Sequence, residues 1–132
     1  MTPPDRTALY AAIRASWGPD TAYDPAAWSP HCPERGQCAV TALIIQDHLG
    51  GDLLRAVAGG DSHYWNLLPS GEELDLTRAQ FASFAPEGTA VRSRGHVLSF
   101  PSAAARYAIL AERVRHSREA ESPARDVRSL TA

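Results

Sequence analysis

Apolar residues repeat at helical spacing in three parts of the chain. In residues 5–17, apolar residues recur four positions apart and so share one face, which predicts an amphipathic helix. From 38 to 49 they occupy nearly all sides, so this second helix is predicted to be central and buried. The last helix is predicted to begin at Ser99 or Ser102 and to end near His116.

Between the second and third helices the pattern changes to short runs that predict strands. These runs cover residues 53–57, 62–68 and 73–77, with glycine-containing turns between them. Strands joined by such short turns pair antiparallel, so we expect a three-stranded meander. A further strand is predicted within residues 91–100. The fold class is therefore α+β, with a buried helix packed on a small antiparallel β-sheet and helices at both ends.

The length of the chain fits one domain. A chain of 132 residues buries roughly two-thirds of its unfolded surface on folding. We assign residues 1–118 to a single α+β domain and residues 119–132 to a flexible tail, because the end of the chain is polar and lacks apolar periodicity. Residues 20–36 contain several prolines and are predicted to form a loop anchored by Tyr23 and Trp28.

Charge and hydropathy limit the classes of partner. The chain has 13 basic and 15 acidic residues and a net charge of −2, so neither nucleic acid nor a membrane surface is expected as a partner. The longest apolar run, residues 42–45, is far too short to span a bilayer, and the first residues do not combine a basic segment with a following hydrophobic one, so no signal segment is expected. We therefore expect a cytoplasmic protein with reduced cysteines. The oligomeric state is not predicted by these features.

Cys38 lies at the junction between the proline-rich loop and the buried helix. The first turn of a helix has unpaired N–H groups and a partial positive charge, which favour a thiolate over a thiol. The same N–H groups are able to stabilise an oxyanion. In this hypothesis Gln37 adds a side-chain amide donor, and Gly36 lets a substrate approach the backbone closely. Together these features predict a nucleophilic cysteine.

A histidine and an aspartate on neighbouring strands complete the predicted site. His63 and Asp75 share a face of their hairpin if its turn has three residues, 69–71. A two-residue turn, 70–71, would direct Asp75 away. With the longer turn, Cys38 is the nucleophile, His63 is the base and Asp75 orients the imidazole. The alternative role of Asp75 is to cap the helical turn that follows it.

Other residues near these positions are candidates for substrate binding. Trp28, Tyr64 and Trp65 are expected to wall an acyl pocket. Asn66 is a second candidate for orienting or oxyanion work, although on a flat strand it faces away from His63. The predicted reaction is thiolate attack on the carbonyl of a small-molecule, peptide or protein amide, followed by hydrolysis or acyl transfer. No cofactor is expected for this chemistry.

Several of these segments resemble the YunG family of small bacterial proteins. They are Trp28-Ser29, Gly36 to Leu43, Asp47, Gly50-Gly51, His63 to Asn66 and Asp75 to Thr77. This pattern is in turn similar to the transglutaminase-like and NlpC-type branches of the papain-like superfamily, where a cysteine begins a helix and a histidine follows on an adjacent strand. The resemblance implies a papain-like core and the chemistry of a peptidase, deamidase or transglutaminase-like enzyme.

Other interpretations fit some of the same residues. His31, Cys32, Cys38 and His63 are potential zinc ligands, but Cys32 and Cys38 are farther apart than a usual zinc-binding pair, and no second close pair exists. No metal ligand is therefore assigned. A non-catalytic papain-like module that binds a peptide or protein is another alternative. Oxidation of Cys32 and Cys38 to a disulfide would regulate the nucleophile.

Overall fold

The computed structural model describes residues 3–131, with side chains for residues 6–120. The helices are α1 (Pro3–Ser16), α2 (Cys38–Leu49), α3 (Arg94–Leu98) and α4 (Pro101–Thr131), and the strands are β1 (Asp52–Ala58), β2 (Asp61–Leu67), β3 (Glu73–Leu74) and β4 (Glu87–Arg92). Short 3-10 turns occupy residues 19–21, 25–27 and 78–80. The α+β class is confirmed, and the three helices predicted from apolar spacing are present.

The four strands form one antiparallel sheet in the order β3-β2-β1-β4. The predicted meander of β1, β2 and β3 is confirmed. Its second turn has three residues, since Leu68 N donates to Glu72 O at 2.8 Å and residues 69–71 lie between them. Strand β3 is shorter than predicted, because the chain leaves the sheet after Leu74.

The position predicted for the fourth strand is wrong. Strand β4 covers residues 87–92 and pairs with β1, whereas residues 94–98 of the segment 91–100 form a helix. The helix α3 begins there because Ser93 Oγ accepts a hydrogen bond from His96 N at 3.1 Å, which caps its first turn.

Helix α2 lies between the terminal helices and the sheet. On one side it packs against α1 and α4 through a cluster of buried residues that includes Leu9, Ile13, Val40, Ile44, Leu110 and Val114. On the other side Leu43 packs with Leu53 of β1 and Val97 of α3. Apolar contact on both sides explains why apolar residues surround this helix in the sequence.

The loop of residues 20–36 is held by fewer aromatic contacts than predicted. Trp28 is partly buried, and its Nε1 donates to Pro33 O at 2.9 Å, so it anchors the loop. The side chain of Tyr23 is 75% exposed. The prediction that Tyr23 anchors the loop is therefore wrong, and its backbone N–H, which bonds to Gly36 O, makes the attachment instead.

Two predictions about organisation stay predictions. The predicted end of the last helix near His116 is wrong, because α4 continues to Thr131. Residue 132 and the side chains beyond residue 120 lie outside the described part, so the division into residues 1–118 and a tail of 119–132 is untested. None of the described helices combines the length and apolar character needed to cross a bilayer. The cytoplasmic location stays a prediction.

Packing of α4 on the other helices is tested by two neighbouring substitutions. Leu110 is fully buried, so Leu110→Ala is expected to lower the free energy of unfolding by about 2–5 kcal/mol. Ile109 is 36% exposed on the same helix, and Ile109→Ala is expected to cost less than about 1 kcal/mol. Urea denaturation measures both values. Equal effects of the two substitutions would contradict this packing.

Candidate active site

The Cys38 thiol lies at the first residue of α2 and is partly exposed. The first hydrogen bond of this helix joins Thr41 N to Gln37 O at 3.0 Å, so the N–H groups of residues 38–40 precede it. Cys38 Sγ lies 4.0 Å from Ser62 O, beside the strand that carries His63. The sulfur therefore lies between a helix N-terminus and β2, as the sequence predicts, and is open to solvent.

His63 is the most constrained polar residue of the site. It is fully buried, and its Nε2 lies 2.7 Å from Asp75 Oδ2. Besides Asp75, Cys38 is the residue whose interaction raises the pKa of the imidazole. Because Nε2 faces the carboxylate, Nδ1 lies on the other side of the ring. The structure thus pairs His63 with Asp75 and places Cys38 beside the strand that carries His63.

Aromatic rings enclose the imidazole on its other sides. Trp65 stacks on it with ring centroids 5.7 Å apart, while the rings of Phe81 and Phe84 contact it edge-on at 4.8 and 5.4 Å. These contacts exclude water from the ring. They also restrict its rotation, so that both nitrogens keep their partners.

The environment of His63 raises its pKa to about 9, from an ordinary value of 6.5. Burial acts in the opposite direction and is the largest single effect, because it disfavours the imidazolium. Hydrogen bonds to Asp75 and Cys38, together with their negative charges, outweigh it. At neutral pH the ring is therefore held as an imidazolium next to the sulfur.

Asp75 has two structural tasks. Its Oδ2 bonds to His63 and lies 3.4 Å from Arg78 Nε, while Oδ1 accepts hydrogen bonds from Thr77 N and Thr77 Oγ1 at 3.2 and 3.3 Å. The orienting contact with the imidazole is present, but the predicted helix cap is not, because Thr77 precedes the turn of residues 78–80 and no side chain caps that turn. The carboxylate orients the imidazole and also holds the turn that follows β3.

Gln37 does not occupy the position expected of an oxyanion donor. Its side chain is fully buried, Nε2 donates to Gly18 O at 3.0 Å, and Oε1 accepts from Thr21 Oγ1 at 2.8 Å. The amide therefore joins the start of α2 to the segment after α1. This corrects the sequence-based expectation, because both ends of the amide are already hydrogen-bonded to Gly18 and Thr21.

The structural need for glycine at position 36 also differs from the expected one. Gly36 has a φ of 75°, and a Cβ there would lie 2.9 Å from Tyr23 N. The close approach is therefore to the neighbouring loop, where Gly36 O accepts a hydrogen bond from Tyr23 N at 2.9 Å. No contact with a substrate is needed to explain this glycine.

The structure separates the predicted substrate-binding residues into two groups. Tyr64 is partly exposed and lies near the sulfur: burial raises its pKa, and the negative charge of Cys38 adds to this effect. Trp65 and Asn66 are buried, where Trp65 Nε1 donates to Glu73 Oε1 and Asn66 Nδ2 donates to Ala42 O. The last two support the site and have little surface to offer a substrate. Trp28 anchors the loop.

The potential zinc ligands do not converge. Among residues 6–120, no group of three or more histidine, cysteine, aspartate or glutamate side chains is placed to hold one metal ion. Cys32 and Cys38 are both free thiols. Burial, followed by the neighbouring Glu34 carboxylate, raises the pKa of Cys32, whose Sγ lies 3.1 Å from Glu34 Oε1.

Gln80 also belongs to the site, although no pattern in the sequence predicts this. Gln80 Nε2 lies 3.4 Å from His63 Nδ1, and Gln80 Oε1 lies 3.5 Å from Gly36 N. The side chain therefore bridges the imidazole and the loop before Cys38. Its position in the sequence gave no signal, because the turn of residues 78–80 brings it back to the site only in three dimensions.

Comparison with known proteins shows the family to which the chain belongs. The family model described as "YunG protein" matches residues 5–119. The chain belongs to the YunG family. This span contains every residue of the site described above.

A relative within the family is known from Bacillus subtilis (strain 168). The "Uncharacterized protein YunG" of that organism is 36% identical over 69 residues, which cover 52% of this chain. The match spans about half of the relative, 56% of its length. No solved structure matches the chain.

The role of Asp75 is tested by titrating His63. Asp75→Asn keeps a hydrogen-bond acceptor but removes the charge, so the midpoint of the His63 ring is expected to fall from about 9. Because the folded-state pKa is raised, the imidazolium stabilises the fold fully below pH 6.5, and this stabilisation is lost as the pH rises through about 9. In Asp75→Asn, the free energy of unfolding should therefore fall less between pH 6.5 and 9. NMR titration of the ring and urea denaturation at pH 6.5 and 9 measure the two effects.

Glu73→Gln is the matched control, because Glu73 contacts Trp65 and not the imidazole. It should leave the His63 midpoint unchanged. The interpretation of Asp75 fails if both variants titrate like the parent protein.

Proposed function

We propose that this protein is a cysteine-dependent amide or acyl hydrolase, or an acyltransferase, in which Cys38, His63 and Asp75 act as a triad. The observation that carries the proposal is the fully buried imidazole of His63, which is hydrogen-bonded to the Asp75 carboxylate and lies on the strand next to the Cys38 sulfur. A buried histidine paired with a carboxylate beside a cysteine at a helix start is typical of a functional site.

The electrostatics suit a thiolate nucleophile. A positively charged imidazole and the unpaired N–H groups at the start of α2 both favour negative charge on the sulfur. Asp75 keeps the imidazole oriented and stabilises its positive charge. The sulfur is partly exposed, so an acyl group has access to it.

The reaction has two steps. In the first, Cys38 Sγ attacks the substrate carbonyl carbon, a C–S bond forms, and the leaving amine takes the proton of the His63 imidazolium as the C–N bond breaks. In the second, His63 accepts a proton from water or from an acceptor amine, which attacks the thioester and releases the Cys38 thiolate. Water gives hydrolysis, and an amine gives acyl transfer.

Stabilisation of the oxyanion is assigned to the backbone. The N–H groups of residues 38–40 point out of the first turn of α2 and are not used in the helix. Gln37 is excluded from this role by its burial and its bonds to Gly18 and Thr21. Tyr64 beside the sulfur is the side chain best placed to contact the acyl group.

The core is proposed to be a small papain-like arrangement. The nucleophile begins a buried helix, and the base lies on an antiparallel sheet packed against that helix. The substrates of such a site are small-molecule, peptide or protein amides. Its activity is then that of a peptidase, a deamidase or a transglutaminase-like enzyme.

Selective alkylation tests the proposal without a known substrate. Iodoacetamide at pH 7 is expected to label Cys38 well before Cys32, because the pKa of Cys32 is raised by burial and by Glu34. His63→Ala is expected to slow labelling of Cys38 on the order of tenfold, because the adjacent positive charge is lost. Trypsin cleavage after Arg35 places the two cysteines in different peptides, so mass spectrometry measures each rate.

His116→Ala is the control, because His116 lies on the exposed side of α4 and bonds to Glu112. Iodoacetamide should label Cys38 of this variant at the same rate as in the parent protein. Slow labelling of Cys38 that does not depend on His63 would contradict the enzyme and favour a non-catalytic binding module. Cys38→Ala is expected to fold normally, and once a substrate is found, full activity of this variant would eliminate the mechanism.

A further inference from the structure

Arg106 on α4 is a buried cation that the proposed reaction does not use. It is only 9% exposed, its Nε donates to Ser102 Oγ at 3.1 Å, and its Nη1 donates to Thr21 O at 3.3 Å. Both partners are neutral. Among the side chains that the structure describes, no carboxylate forms an ion pair with this guanidinium.

A buried charge with neutral partners is unusual in a stable protein. Removing a cation from water costs several kcal/mol unless an anion compensates it. Burial accordingly lowers the pKa of Arg106, and the charges of Cys38 and Tyr23 oppose this effect. The guanidinium has five N–H donors, and two of them account for its hydrogen bonds to Ser102 and Thr21. Donors remain for a further acceptor.

Two residues that contact Arg106 also contact the residues just before Cys38. Thr21, which accepts its hydrogen bond, donates through Oγ1 to Gln37, the residue before Cys38. Tyr23, whose ring centroid lies 5.7 Å from the guanidinium carbon, bonds through its N–H to Gly36 O. Arg106 thus lies against the two loop residues that contact the start of α2.

We propose that Arg106, with the exposed ring of Tyr23 beside it, forms an anion-binding subsite next to Cys38, and that the acyl substrate carries a carboxylate. This inference rests on the proposed function and narrows its substrate class. The planar guanidinium binds a carboxylate through two parallel hydrogen bonds. A single cation matches a single negative charge, and carboxylates are the anionic groups that amide substrates themselves contain, as in a peptide C-terminus or an acidic side chain.

An anionic and a neutral alkylating reagent together test the subsite. Iodoacetate and iodoacetamide react with the thiolate by the same displacement, in which a C–S bond forms and iodide leaves. Only iodoacetate carries a carboxylate. We expect the ratio of the iodoacetate rate to the iodoacetamide rate at Cys38 to fall on the order of tenfold in Arg106→Gln at low ionic strength. Added salt should reduce the ratio in the parent protein. If Arg106 only holds Thr21 in place, its loss changes both rates together and leaves the ratio constant.

Three variants complete the design. Arg106→Lys keeps the charge and should retain most of the ratio. Arg115→Gln removes a charge from an exposed part of the same helix and should leave the ratio unchanged. If Arg106→Gln does not fold, Arg106→Met replaces it, because an apolar side chain of similar length avoids burying an unpaired polar group.

The possible failures are distinguishable. An unchanged ratio in the folded Arg106 variants, with rapid labelling of Cys38 by iodoacetamide, overturns the subsite and leaves the proposed enzyme intact. Slow labelling by iodoacetamide that is independent of His63 overturns the enzyme, and the ratio then still shows whether Arg106 attracts a carboxylate.

Discussion

The hydrogen bond between His63 and Asp75 is the contact on which the rest of the site depends. A fully buried imidazole is unstable unless its nitrogens have partners, because water is not available to replace them. Asp75 reaches Nε2 because β3 ends after only two residues and lets the chain turn under β2. Once this bond fixes the ring, the orientation of Nδ1 is fixed with it.

The nucleophile is positioned by buried polar contacts around α2. Gln37 joins the start of the helix to Gly18 and Thr21, and Asn66 joins its middle to β2 through Ala42 O. Trp17 Nε1 donates to Thr41 Oγ1 at 2.9 Å and ties α1 to the same helix. Held from three directions, α2 presents Cys38 in a fixed position, which is what a preorganised nucleophile requires.

The loop between α1 and α2 connects the proposed catalytic residues with the proposed subsite. Its residues Thr21 and Tyr23 contact Gln37 and Gly36 on one side and Arg106 on the other. Two positively charged groups therefore border the start of α2, His63 from the sheet and Arg106 from α4 through this loop. In the proposed function, this charge attracts an anionic acyl substrate.

Local features of the sequence determined the class of the fold and the three central residues of the site. The helix start at Cys38 follows from apolar spacing, and the three-residue turn that aligns Asp75 with His63 follows from strand alternation; both involve neighbours in the chain. The roles of Gln37, Trp65 and Gln80 were decided by the tertiary structure, because a side chain bonds to whatever packing brings near it. Arg106 and Thr21, 85 positions apart, meet only after α4 has packed against the loop. No local pattern predicts such a contact, since its energy comes from the folding of the whole domain.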